Sequence, residues 1–406
     1  MPNSIQRQIS ASEVRAHAAS VALTMIFALV VCAATAAQGK SFKVLYAFKG
    51  GTDAWGPRTG LVQDEKGNLY GTAEGGTFDY GTVFKLNRAG RETILHSFAG
   101  GSDGAGPSGL IRDAAGNLYG TTQAGGNHGC HRETGCGTVF KLSPTGEETI
   151  LYRFRGGRDG QIPAGGLIRD AHGNFYGTTE LGGNLNCYAP YGCGTVFKLS
   201  TRGRKTILYS FTEENGFEPA AGVIADNHGD LFGTTVNGNI FGTVFKLSRT
   251  GKETTLYRFD GKSDGAFPYA GVIRDRQGNL YGTTLGPDGG TGSVFEITRR
   301  GHEVTLHAFH GGAGGSAPFG GVVRDDNGNL YGTTQSGGMK GDGDGGWGTV
   351  FELTKAGKEI VLHGFTGGPD GGIPMAGLLR DRLGNLYGTA STGGVLRYGV
   401  VFELTP

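Results

Sequence analysis

The stretch Gly116-Asn-Leu-Tyr-Gly-Thr-Thr122 decides the fold, because close copies of it begin at Gly67, Gly116, Gly173, Gly229, Gly278, Gly328 and Gly384. A unit of about fifty residues that repeats without a break is a statement about architecture. Each copy sits in a frame with three other phrases. In one unit these are Gly109-Leu-Ile-Arg-Asp113 before it, then Gly137-Thr-Val-Phe-Lys-Leu142 and Leu151-Tyr-Arg-Phe154 after it. All four are short, rich in β-branched and aromatic residues, and bounded by Gly, Asp, Asn and Pro, so each predicts a strand between turns.

The order of phrases at the two ends predicts how the units are arranged. Phe42–Phe48 matches the fourth phrase of a unit, and the chain ends on a third phrase, Gly399–Leu404, followed only by Thr405 and Pro406. Seven complete sets of four strands exist only if the N-terminal strand pairs beside the C-terminal one. Ring closure removes the exposed edges that an open array would have to cap. The expectation is an all-β, seven-bladed β-propeller of four-stranded blades, closed by the N-terminal strand pairing with the C-terminal blade.

Bulk composition narrows the class. Glycine supplies 80 residues, but there is no Gly-X-Y period and 37% of the chain is hydrophobic, so the glycines are turn residues and neither collagen nor disorder fits. A formal net charge of +1 without basic blocks argues against nucleic acid as a partner. Residues 1–36 read as a secretory signal peptide: Arg7 and Arg15 precede an apolar run from Val21 to Ala34, and Ala34-Thr-Ala36 offers a cleavage site. The alternatives are a retained anchor, for which the run is short, and a lipoprotein at Cys32, where Val31 is bulky. Residues 37–406 are expected to be a single domain, secreted or periplasmic, with no membrane span after cleavage and monomeric.

Loop lengths identify the variable face. The first-to-second and third-to-fourth connections are tight turns of constant spacing, whereas the second-to-third segment runs from Val236–Phe241 to the longer Gln123–Cys136 and Glu180–Cys193. In a propeller these loops share a face with the blade-to-blade connections, so that face is where a binding surface is expected. The connections carry Gly-Gly-x-Asp-Gly-x-x-Pro, with Asp53, Asp103, Asp159, Asp264 and Asp370 at the acidic position. An Asp-Gly turn is the plainer reading; a crown of carboxylates at the mouth of the central channel is the sharper one. Arg112, Arg169, Arg274, Arg324 and Arg380 of the innermost strands are expected to form a ring of ion pairs, and His96, His307 and His363, in positions occupied elsewhere by Tyr, to pack between blades.

Cys130, Cys136, Cys187 and Cys193 form two identically spaced pairs at equivalent places in the two longest loops, which predicts disulfides Cys130–Cys136 and Cys187–Cys193 in an exported protein. Zinc is the rival in the first loop, where His128 and His131 flank Cys130, but the second loop has no matching histidine. Asp342 and Asp344 stand in Asp-x-Asp-Gly spacing, a weak Ca2+ motif against a solvated Gly-rich tip; no other cofactor is expected. The residue before each Gly-Thr-Val-Phe phrase, such as Tyr80 or Trp347, is expected to wedge between blades. The candidate ligand-binding residues are Trp55, Asp53, Tyr188, Tyr191 and Trp347, aromatic groups and a carboxylate on the variable face of the kind that suits sugar recognition. No catalytic residue is nominated, and no channel-mouth group that breaks the sevenfold repeat stands out.

The phrases G-N-L-Y-G-T-T, G-T-V-F-K-L and L-Y-S-F-x-G-G-x-D-G-x-x-P resemble the repeat of the Gloeobacter/Verrucomicrobia-type tandem-repeat proteins over residues 41–406. The resemblance implies a bacterial exported repeat protein, often surface-associated, with no established activity. Two functions follow as expectations: a non-catalytic scaffold binding a glycan or an extracellular protein through its variable face, or a propeller lyase, lactonase or hydrolase with acidic residues at the channel mouth. Fold alone does not choose between them.

Overall fold

Each Asp-x-x-Gly-Asn turn is closed by its own side chains. The Asp113 carboxylate accepts the Asn117 backbone N–H at 2.9 Å and Asn117 Nδ2 at 3.0 Å, and Gly116 supplies a φ of 87°. Tyr119 donates its hydroxyl to the same carboxylate at 2.9 Å, so one Asp fixes both the turn and the entry to the second strand.

These turns recur around a ring in the computed structural model, which describes residues 40–406 apart from 128–129, 131–133, 238–240, 263, 288–290 and 339–344. The signal-peptide expectation, Asp342, Asp344, His128 and His131 lie outside the described residues. Seven antiparallel sheets of four strands run outward in the order first, second, third, fourth, and the second blade adds a short strand, Ala105–Pro107. The N-terminal strand Ser41–Ala47 is the outermost strand of the seventh blade. It pairs with Val400–Thr405, Ser41 opposite Thr405 and Ala47 opposite Val400. The molecule is thus the closed seven-bladed β-propeller that the phrase order predicts.

The repeated phrases are explained by what joins the blades. Phe98 of the first blade meets Phe140 of the second edge-on at 5.2 Å, and the closing junctions repeat this as Phe365–Phe402 at 5.4 Å and Phe48–Phe84 at 5.2 Å. Each such pair contributes about 0.5–1.5 kcal/mol beyond area burial. Gly120 of the second strand makes the Phe possible, since a Cβ there would lie 2.6 Å from Phe140 Cζ. Thr121 donates to the Gly165 carbonyl of the next blade at 3.3 Å, and Thr389 closes the series on the Thr59 carbonyl at 3.3 Å. Beneath those carbonyls the innermost strands start on a collar of small residues, packed so closely that a Cβ on Gly165 would lie 2.3 Å from the Gly222 nitrogen.

One sequence expectation is corrected here, and the plainer of two readings of the connection aspartates holds. The arginines of the innermost strands are mainly stacked, not ion-paired: Arg112, Arg274 and Arg324 lie 5.8, 5.6 and 5.6 Å over Tyr70, Phe232 and Tyr281 of the preceding blade. The turn Asp is already engaged by Asn and Tyr, so the guanidinium plane packs on the ring, and among the described members of this set only Arg169 also reaches a carboxylate, Asp113 at 3.9 Å. The connection aspartates do not crown the channel. Asp53 accepts from Tyr46 of the outermost strand at 2.5 Å and from the Lys49 backbone at 2.6 Å, and Asp159 likewise serves Tyr152 and the Arg155 backbone, so these carboxylates are turn residues tied to the outer strands.

Candidate functional site

Seven connections arrive at the axis through one recurrent and strained step. The residue before the proline has positive φ in every blade: Gly56 61°, Gly106 64°, Ile162 58°, Glu218 58°, Phe267 56°, Ala317 55° and Ile373 55°. A left-handed conformation is a genuine outlier for β-branched Ile162 and Ile373 and costs of order 1–3 kcal/mol. It persists because the backbone is held on the neighbouring blade: Ile162 N–H donates to the Cys136 carbonyl at 3.1 Å and Ile373 N–H to the Trp347 carbonyl at 2.8 Å. The proline then seats against the preceding blade's glycine of Gly-Thr-Val-Phe, as Pro163 does on Gly137.

The residue after the proline lines a cavity of about 370 Å³ where all seven blades meet on the variable-loop face. Here the repeat fails. The position holds Arg58, Ala164, Ala220, Tyr269, Phe319 and Met375, while the second blade, one residue shorter, presents Ser108. The residue ending the second strand varies with it, and Glu74, Gln123 and Glu180 join the lining. The result is a two-sided pocket. Blades one to three supply Arg58, Glu74, Ser108, Gln123 and Glu180; blades five to seven supply Tyr269, Phe319 and Met375. The Tyr269 and Phe319 rings stack at 4.9 Å with 21° between their planes, making one continuous apolar surface.

The polar wall is charged. Arg58 Nη1 lies 3.0 Å from Glu74 Oε1, with side chains 51% and 37% exposed, so the pair is solvated and available to a ligand. Burial holds the Glu74 carboxyl above the usual range, with Arg58 opposing. Burial also raises the Tyr269 hydroxyl, helped by the charges of Glu218 and Glu180. Cation-binding chemistry is not specified by this donor set, and no metal is assigned to it.

The residues nominated from sequence lie elsewhere, at three separate junctions. Trp55 is 37% exposed, its ring lying over Gly75 and its backbone pairing with Glu74, so it borders the pocket without lining it. Asp53 is occupied by the turn described above. Tyr188 stacks on Phe217 at 5.7 Å and meets Tyr191 at 5.5 Å, between the third and fourth blades. Trp347 packs on Gly367 in the wedge expected of its position, as Tyr80 does on Gly100. The disulfides Cys130–Cys136 and Cys187–Cys193 are both formed, and Cys130 Sγ occupies the same wedge over Gly156. Sequence reasoning missed the cavity because Ala, Tyr, Phe and Met at the mouth of an inner strand read as core. The available signal was the variation immediately after an otherwise regular proline.

A closed seven-bladed propeller with a ligand-sized, asymmetric pocket on its axis is the class that fold and site define. Within that class the chain belongs to the Gloeobacter/Verrucomicrobia repeat family, whose profile matches residues 30–189, 186–344 and 286–406. No curated protein matches it. Among solved structures, virginiamycin B lyase from Staphylococcus aureus is similar with 14% identity and a TM-score of 0.58, over 90% of this chain and 100% of that one. The extracellular domain of a one-component system protein from B. thetaiotaomicron has 13% identity and a TM-score of 0.54, over 91% of this chain and 42% of that one. At these identities the likeness concerns the fold. No described helix is long and apolar enough to cross a membrane.

Proposed function

We propose that the protein is an extracellular binding protein that receives the end of a glycan in the axial pocket of its variable-loop face. The observation that carries this reading is asymmetry at the axis: the blades repeat in turn and core, and the residues they present to the pocket differ. Sugars present an apolar face of C–H groups and an edge of hydroxyls. Tyr269, Phe319 and Met375 suit the first; Arg58, Glu74, Gln123 and Glu180 suit the second. The volume of about 370 Å³ lies within the range of about 300–1,000 Å³ typical of small-molecule sites. Two disulfides agree with an oxidising compartment.

A catalytic reading draws on one observation, the Glu74 carboxyl raised by burial beside a guanidinium, a pairing able to supply an acid and a cation to a bound substrate. The test is a glycan array on the full chain followed by titration of the best ligand. Phe319→Ala and Tyr269→Ala place at the pocket the residue that the third and fourth blades carry at that position, Ala164 and Ala220, so both variants should fold. Each should weaken binding about tenfold or more, about 1.4 kcal/mol. Unchanged affinity in both would remove the pocket from the account, and turnover of the ligand that disappears in Glu74→Gln would select the catalytic reading.

A further inference from the structure

At each junction between blades, three positions meet: the Tyr or His near the end of a fourth strand, the connection Asp, and the first residue of the next blade's fourth strand. Between the first and second blades these are His96, Asp103 and Glu148, and one ligand atom from each lies within 4.8 Å of the others. His96 Nε2 is within hydrogen-bond distance of Asp103 Oδ1 at 3.3 Å, as His363 Nε2 is of Asp370 at 3.1 Å. The 3.3 Å separation is also the edge of a tetrahedron built on metal–ligand bonds of about 2.0–2.1 Å, which is about 3.3–3.4 Å. Glu148 Oε1 is buried without a hydrogen-bond partner, as Glu92 Oε1 and Glu359 Oε1 are at junctions that lack the histidine and the Asp respectively, so a cation has the other two ligands beside it only here.

The other six junctions serve as internal comparisons, and each lacks at least one member of the set. Tyr46 and Tyr257 replace the histidine at two, Lys205 the Glu at a third, and Gly314 the Asp at a fourth. At the fifth Asn215 stands for the Asp beside Tyr209, and at the sixth Phe42 takes the Glu position and stacks on His363 at 3.6 Å. The lysine is informative: Lys205 Nζ lies 3.0 Å from Asp159 Oδ1, so the next junction places a positive charge on the carboxylate from the position of Glu148. Where the chain has Glu in place of Lys, the two carboxylates need either a proton or a cation between them, and only the first-to-second junction adds a histidine to both.

We propose that His96, Asp103 and Glu148 bind a divalent transition-metal ion of the Zn2+ type, which clamps the first blade to the second at the outer rim. One imidazole nitrogen and two carboxylates suit Zn2+ better than Ca2+ or Mg2+, which take oxygen ligands in larger number. The site is separate from the axial pocket and independent of its ligand. The competing state is the metal-free junction with a shared proton in place of the ion, which metal binding would displace.

The test is calorimetric titration of the chelator-treated full chain with ZnCl2, beside CaCl2 and MgCl2, with thermal melting of each mixture. The proposal expects one equivalent of Zn2+ and a rise in Tm of several degrees, with Ca2+ and Mg2+ without effect. His96→Tyr and Glu148→Lys install residues that other junctions carry, so both should melt near the metal-free protein. The first should lose at least tenfold in Zn2+ affinity and the second should not bind. No Zn2+ bound by the parent chain would show the shared proton to be the whole story, and Zn2+ bound equally by both variants would place the ion elsewhere; either result overturns the proposal.

Discussion

Glu92 shows how a single repeated position can carry the chemistry of a junction. It faces Asp53, whose carboxylate is held by Tyr46 of the closing strand, and Lys49 lies nearby. Burial, followed by the Asp53 charge, raises the Glu92 carboxyl to about 7. The unfolded chain releases this proton near the ordinary carboxylate value, whereas the folded chain retains it to about 7. Between those values the native state binds more protons, so stability falls as pH rises. Glu92→Gln removes that loss. The variant's Tm relative to the parent should therefore climb by a few degrees from pH 5 to pH 8, and a difference that stays constant across this window would show that Glu92 ionises normally.

At the scale of the element, the disulfide loops do the work that aromatic residues do in other blades. Cys136 is fully buried and Cys130 Sγ covers Gly156, as Tyr398 covers Gly50 and Trp347 covers Gly367. Replacing both Cys130 and Cys136 by Ala should cost about 2–3 kcal/mol in urea unfolding, the loop-closure scale for a short bridge, since the wedge is lost with the bond. A loss below about 0.5 kcal/mol would mean that neighbouring side chains refill the space. Strands, turns and closure were legible in the sequence because periodic phrases fix register: the same Gly, Phe and Thr recur wherever the same blade contact is made. The pocket was not, for a physical reason. Arg58, Tyr269, Phe319 and Met375 are far apart in sequence and become neighbours only through ring closure, while the conspicuous Trp55 and Trp347 answer to glycines beneath their rings. The carboxylate crown failed because each connection Asp has closer partners in the outermost strand.

The whole molecule depends on the seventh blade. Without Phe42–Phe48 the strand Val400–Thr405 would have an unpaired outer edge, Phe84 would lose its edge-on partner Phe48, and His363 would lose Phe42. Deleting residues 41–48 should lower Tm by ten degrees or more, on the order of several kcal/mol, and promote aggregation through the free edge. Melting at the parent temperature would mean that the ring does not need this strand. The central claim is that a ring so regular keeps its function where regularity stops. Hydrogen exchange with and without the best glycan ligand tests it most directly. The account predicts protection at residues 58–60, 72–74, 179–181, 269–271 and 319–321, around the axial pocket. Protection confined to residues 187–191 and 345–347, on the outer loops, would contradict it.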